Sequence, residues 1–160
     1  MAEGQGLPDT PAERVRELVE RVTGALGLAA TVEVSEGDEE IRAVISGEDL
    51  GLLIGKHGAT IDALQHLAGR AAFRGLGDRK VVVIDAAGYR ERREAALRRA
   101  ADQAVEDALR FGRSVELEPM SAPERRIVHT YLRDRTEVQT HSEGDEPDRR
   151  LVVSPVRPAG

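Results

Sequence analysis

Two short stretches carry residue types from which a binding chemistry can be built. Gly55-Lys56-His57-Gly58 sets two cation-capable side chains between glycines, directly before the helical pattern Ala59-Thr60-Ile61-Asp62-Ala63-Leu64. Glycine admits backbone angles closed to other residues and lets another molecule approach the backbone. A helix start offers unpaired N–H groups and a partial positive charge, and a phosphate suits that place. The loop alone is also ordinary turn chemistry. The second stretch is Arg125-x-x-x-His129. Its spacing puts both side chains one turn apart on a single exposed helix face. A guanidinium fork pairs with a phosphate, and an imidazole donates a hydrogen bond or stacks on a base. Without context such a pair is solvated surface decoration.

Other chemistries find no support. There is no cysteine, hence no disulfide, zinc thiolate or thiol nucleophile. His57, His66, His129 and His141 are scattered, and none has metal-ligand spacing such as His-Glu-x-x-His. No Gly-x-Ser-x-Gly elbow exists, and the carboxylates follow surface patterns. A nucleotide-hydrolysing phosphate loop needs Gly-x4-Gly-Lys-Ser/Thr. Gly51 and Gly55 are too close for that, and His57 stands where the magnesium-binding hydroxyl belongs. The expectation is a protein with no catalytic residues, no cofactor and no metal.

The net charge of −6 speaks at first against a polyanionic ligand. Its distribution weakens that objection. Residues 1–50 carry −8, residues 51–135 carry +4 and residues 136–160 carry −2. The positive excess begins with the glycine loop, and local charge decides where a phosphate chain docks. Apolar residues make up 40% of the 160, but aromatic residues only 2%: Phe73, Tyr89, Phe111 and Tyr131. The cores must therefore be aliphatic, and stacking on many bases is disfavoured. No apolar run approaches the roughly 20 residues that span a bilayer. Met1 to Thr10 lacks the apolar core of a signal peptide. A cytoplasmic protein is expected.

The elements that must hold these stretches can be read in order. After a disordered leader over 1–10, Thr10 and Glu13 form a capping box with Pro11 at the first helical position. The helix runs to about Leu26. Thr31-Val32-Glu33-Val34 and Ile41-Arg42-Ala43-Val44-Ile45 alternate as strands do. Ser46 to Ile54 is expected to be a short helix feeding the loop. The next helix runs to about Phe73, with Ile61, Leu64, Leu67, Ala68, Ala71 and Ala72 on its buried face. The β-branched run Val81-Val82-Val83-Ile84-Asp85 reads as a strand buried on both faces. Ala86-Ala87-Gly88 marks a domain boundary.

The longest helix runs from Tyr89 to about Arg110, with Leu97, Ala101, Ala104, Val105, Ala108 and Leu109 as its apolar stripe. Arg90, Arg92, Arg93, Arg98 and Arg99 stud its first half, most simply as a solvated face pairing with Glu91 and Glu94. Val115-Glu116-Leu117 is a short strand. Ser121 and Glu124 form a second capping box. In the helix that follows, Ile127, Val128, Tyr131 and Leu132 share one side, and Arg125, Arg126, His129 and Arg133 the other. Strands over Thr136 to Ser142 and Arg149 to Val153 close the pattern.

The order helix-strand-strand-helix-loop-helix-strand over residues 11–86 resembles a type II KH domain. In that family a Gly-x-x-Gly loop clamps about four nucleotides along the backbone. Residues 88–155 resemble the R-three-H domain, named for Arg-x-x-x-His, which binds single-stranded nucleic acid. A KH domain followed directly by an R-three-H domain resembles the Jag family, also called SpoIIIJ-associated proteins. Gly51-Leu52-Leu53-Ile54-Gly55-Lys56-His57-Gly58, Gly88-Tyr89-Arg90-Glu91-Arg92-Arg93, Glu116-Leu117-Glu118-Pro119-Met120, Glu124-Arg125-Arg126-Ile127-Val128-His129 and Ser142-Glu143-Gly144 carry the likeness. Many members have an N-terminal Jag domain and a long linker, and this chain is read as having neither.

The expected fold is α/β (α+β). A type II KH domain with a small mixed sheet and helices on one face covers 11–86, a small R-three-H α/β domain covers 88–155, and 156–160 is a tail. The resemblance implies binding of single-stranded RNA, or DNA, without chemistry, and a regulatory role in bacterial cell elongation, division or sporulation. Gly55, Lys56, His57, Gly58, Arg125 and His129 are the expected contacts, with Arg126, Arg133 and Arg70 as further phosphate partners. It also implies a small single-KH-domain protein as partner. The alternative is an interaction adaptor for which nucleic acid is secondary.

Overall fold

The computed structural model describes residues 10–157. All but the last residue of the expected leader, and the end of the expected tail, lie outside that range. The chain divides after Arg90 into two compact units.

The first unit is built on a three-stranded sheet in the order β1-β2-β3. Helix α1 (Pro11–Ala25) opens with the expected capping box, Thr10 Oγ1 accepting from the Glu13 N–H at 3.2 Å. Strands β1 (Ala30–Glu36) and β2 (Glu40–Gly47) pair antiparallel, and β2 pairs parallel with β3 (Val81–Ala86). Between β2 and β3 run α2 (Gly51–Ile54), a turn of tighter helix (Lys56–Gly58) and α3 (Ala59–Ala72). Val15 and Val19 of α1 and Ile61 and Leu64 of α3 pack on Ile41, Ile45 and Ile84 of the sheet. Each such aliphatic side chain contributes about 1.5–3 kcal/mol on burial. The mixed sheet and the element order expected from the sequence are both present.

Four local expectations are corrected. Ser46 and Gly47 continue β2 because they pair with Thr31 and Ala30, so the helix before the loop is only the four residues of α2. Strand β3 lies at the edge of the sheet and is buried on one face alone: Val82, Ile84 and Ala86 are covered, whereas Val81 is 63% exposed. On α3 the buried stripe is narrower than the apolar pattern, and Leu67 and Ala71 face outward. Leu109 likewise falls off the buried stripe of the next helix.

The edge strand is tied by side chains at its centre. The Ile84 N–H donates to Gln65 Oε1 of α3 at 2.9 Å, and Arg90 Nε donates to the Ile84 carbonyl at 2.7 Å. Arg90 also pairs with Asp62 of α3 at 2.8 Å.

The second unit begins within α4 (Tyr89–Phe111) and continues through β4 (Val115–Glu116), α5 (Ala122–Leu132), β5 (Val138–Glu143) and β6 (Arg150–Pro155). Its sheet is antiparallel in the order β4-β6-β5. Leu97, Ala101 and Val105 of α4 meet Val128 and Leu132 of α5 and Leu151 of β6 in a second core. Glu124 joins the start of α5 to α4: one carboxylate oxygen accepts from the Ser121 N–H at 3.4 Å, the other from Arg93 Nε at 2.6 Å. Of the i,i+4 pairs expected on α4, Arg98 with Glu94 forms.

Replacing Gln65 by Ala leaves the Ile84 N–H without its acceptor. The expected loss is about 1 kcal/mol, read as a lower urea midpoint at unchanged slope.

Candidate nucleic-acid interface

The loop takes its shape from three residues with positive φ. Gly55 and Gly58 sit at +74° and +77°, and His57 between them at +53°. The left-handed region costs a residue with Cβ roughly 1–2 kcal/mol, and His is among the side chains that visit it most readily. At the glycines space forbids a side chain as well. A Cβ on Gly55 would run into the Thr60 hydroxyl and stand 2.9 Å from the Thr60 N atom. A Cβ on Gly58 would stand 2.7 Å from Cε1 and 2.9 Å from the hydroxyl oxygen of Tyr89. The close approach read from these glycines is therefore made by the chain's own Thr60 and Tyr89.

That packing presents the two residues between the glycines outward. Lys56 and His57 are both exposed, and neither forms an ion pair among the described residues. No side chain caps α3; Asp62 of its first turn is drawn to Arg90, and the Ala59 N–H donates to the Lys56 carbonyl. One uncompensated lysine, one imidazole and an uncapped helix start face the same solvent, an arrangement that attracts a phosphate. Arg70, on the last turn of α3, is exposed too.

The Arg125/His129 pair is less symmetrical than its spacing predicts. Arg125 is 8% exposed and belongs to the buried side of α5 with Glu124, Val128 and Leu132. Its guanidinium donates to the Met120 carbonyl and to Glu146 Oε1, each at 2.6 Å. The expectation of a single exposed face is corrected. The stem of Arg125 packs inward, and only the tip of the guanidinium reaches the surface, as long cationic side chains do. His129 is exposed as expected, and so are Arg126 and Arg133.

The strands bring further residues to the same place. His129 Nδ1 lies 2.5 Å from Thr140 Oγ1 of β5, which fixes the ring and leaves Nε2 without a partner among the described residues. Arg125, Arg126, His129, Thr140, Ser142 and Arg149 line one groove of about 450 Å³. Arg149 is held there by the Gly144 carbonyl at 2.6 Å. Thr140 and Arg149 were not singled out from the sequence. The available signal was the alternation of β5, which sets Val138, Thr140 and Ser142 on one face.

Among the described residues no group of His, Asp or Glu converges as a metal site, and no helix is long and apolar enough to cross a membrane.

Comparison with known proteins adds to this geometry. Residues 13–84 match the family model described as KhpA/KhpB, KH domain, and residues 95–155 match the R-three-H domain. An RNA-binding protein KhpB of Clostridium symbiosum is 37% identical over 148 residues, covering 91% of this chain and 67% of that protein. The protein of that name from Lactiplantibacillus plantarum is 35% identical over 154 residues, covering 96% and 48%. That of Bacillus subtilis is 34% identical over 146 residues, covering 90% and 70%. The chain thus spans from about half to about seven tenths of these relatives.

Gly58→Ala is expected to lower stability by about 2 kcal/mol or more, since it adds left-handed strain to a clash with Tyr89. A clear drop in melting temperature without any nucleic acid present checks this.

Proposed function

The chain belongs to the family of RNA-binding protein KhpB, and on that premise we propose that it grips single-stranded RNA at two places without catalysing a reaction. The observation that carries the reading is the glycine loop, where Lys56 and His57 stand exposed and unpaired at an uncapped helix start. In this reading residues 11–86 act as the KH domain and residues 88–155 as the R-three-H domain. A stretch of sugar–phosphate backbone crosses the loop between Gly55 and Gly58, its phosphates facing Lys56, His57 and the positive end of α3. A second stretch lies in the groove beside α5, where His129 offers Nε2 and Arg126 and Arg149 offer charge.

Arg125 takes a particular part. Glu146 already neutralises it, so a phosphate must displace that carboxylate or share the guanidinium with it. Its weight as an independent phosphate contact is therefore smaller than that of a free arginine, and Arg126, Arg133 and Arg70 gain in importance. Because one chain carries both sites, each raises the effective concentration of RNA at the other. Two weak contacts then give useful affinity with a marked salt dependence. The name of the matching KH model also supports a small KH-domain protein as partner, with the cytoplasm as the compartment where both meet RNA.

The test uses the full chain and a labelled single-stranded RNA, with a duplex of the same sequence as control. Lys56→Asp with His57→Asp keeps both glycines, and Asp tolerates positive φ. The melting temperature should hold while affinity falls about tenfold or more. Unchanged affinity in the folded double variant would remove the loop from the interface. His129→Ala with Arg126→Ala tests the second groove without disturbing the buried Arg125. For every phosphate left without its cation, the plot of log affinity against log salt should flatten by about 0.7. Equal binding of duplex and single strand would overturn the reading.

A further inference from the structure

Helix α4 ends in Leu109-Arg110-Phe111, followed by Gly112-Arg113-Ser114. Phe111 is 56% exposed. The other aromatic residues are covered: Phe73 is buried, and Tyr89 and Tyr131 are half-buried. A chain so poor in aromatic residues thus leaves one ring in water. Two cations attend it. The guanidinium carbon of Arg110 stands 5.4 Å from the ring centroid and that of Arg113 stands 5.5 Å away. Gly112 turns the chain at φ +63°, which brings Arg113 back to the ring. Neither arginine forms an ion pair among the described residues, and both are exposed.

The bland reading is a stray phenylalanine whose ring is shaded by arginine stems, and single exposed apolar residues are common. Two observations go beyond it. Charge-rich helices normally spend arginines on acidic neighbours, as Arg98 does with Glu94 on this helix, but Arg110 and Arg113 are left uncompensated. Their charge also counters the roughly −0.5 of the helix C-terminus and the carboxylates of Glu106 and Asp107 one turn earlier, with which neither arginine forms an ion pair among the described residues. A ring more than half in water, with two exposed guanidinium groups resting over it that a phosphate can draw off, matches the alternation of base and phosphate along a single strand.

We propose that Phe111, Arg110 and Arg113 form a further contact for single-stranded RNA, separate from the glycine loop and from the His129 groove. One base stacks on the open part of the ring, and the phosphates on either side pair with the two guanidinium groups. This contact rests on the RNA-binding reading above. Its selectivity is for single strands, because a paired base presents no free face. It is tolerant of sequence, because every base has a π-face.

The chain has no tryptophan, so Phe111→Trp supplies a lone fluorophore at the site. The probe is a fluorescein-free oligo(A) of about 12 nucleotides for emission, and the labelled form for affinity. The expected result is quenching of the Phe111→Trp emission on titration with the oligonucleotide. Phe111→Ala should bind about tenfold more weakly at an unchanged melting temperature. Arg110→Gln with Arg113→Gln should reduce the salt slope by about 1.4, the value for two phosphates. Full affinity in Phe111→Ala together with unquenched emission in Phe111→Trp overturns the proposal while the RNA-binding reading stands. The same holds if Phe111→Ala keeps full RNA affinity and instead loses a protein partner. If the unsubstituted chain fails to bind the oligonucleotide, both readings fall.

Discussion

Tyr89 stands where a side chain on Gly58 would have to be. That steric exclusion sets the loop. It makes glycine obligatory at the end of the Gly-x-x-Gly pattern, holds the start of α3 against the start of α4, and turns Lys56 and His57 to solvent. Thr60 does the same work for Gly55 from within α3. The loop therefore takes its shape from folding alone, and its ordering cost is met without any ligand. Glycine in such a loop is easily taken as room left for the ligand, whereas here the room is filled by the protein.

In the second unit a comparable burden falls on the first turn of α5. Glu124 is a helix cap and an ion-pair partner at once, and its neighbour Arg125 is a core residue that surfaces only at its tip. A buried guanidinium needs acceptors on all sides, and Met120 and Glu146 supply them from the loop before α5 and the turn between β5 and β6. The hairpin is thus held to the helix by the residue whose spacing from His129 drew attention to it. Arg125 is thereby committed to positioning, and His129, fixed by Thr140, is left as the freer of the two.

Much of this was legible from residue order. Both capping boxes, the succession of helices and strands, and the exposed Lys56-His57 pair followed from local patterns, because capping and glycine turns are short-range effects. What the sequence concealed was tertiary. Arg125 was placed on the polar face because an arginine one turn from a histidine ordinarily lies there; its burial depends on Glu146, twenty-one positions away. Val81 to Asp85 resembled a central strand because β-branched residues serve edge and centre alike, and only pairing order decides between them. Leu67 and Leu109 are apolar at helical spacing yet uncovered, because two helices on a small sheet bury a narrower stripe than they carry.

The ties at Ile84 have a consequence for how the molecule lives among its neighbours. A sheet of three strands has an open margin, and unpaired backbone groups along such a margin recruit strands from other chains. The outward N–H and carbonyl of Ile84 are taken by Gln65 and Arg90, and the Ala86 N–H by the carboxylate of Asp85 at 2.9 Å. An intruding strand would have to strip these bonds before forming its own. Along the stretch from Ile84 to Ala86 this border is already occupied, which disfavours its extension into a shared sheet.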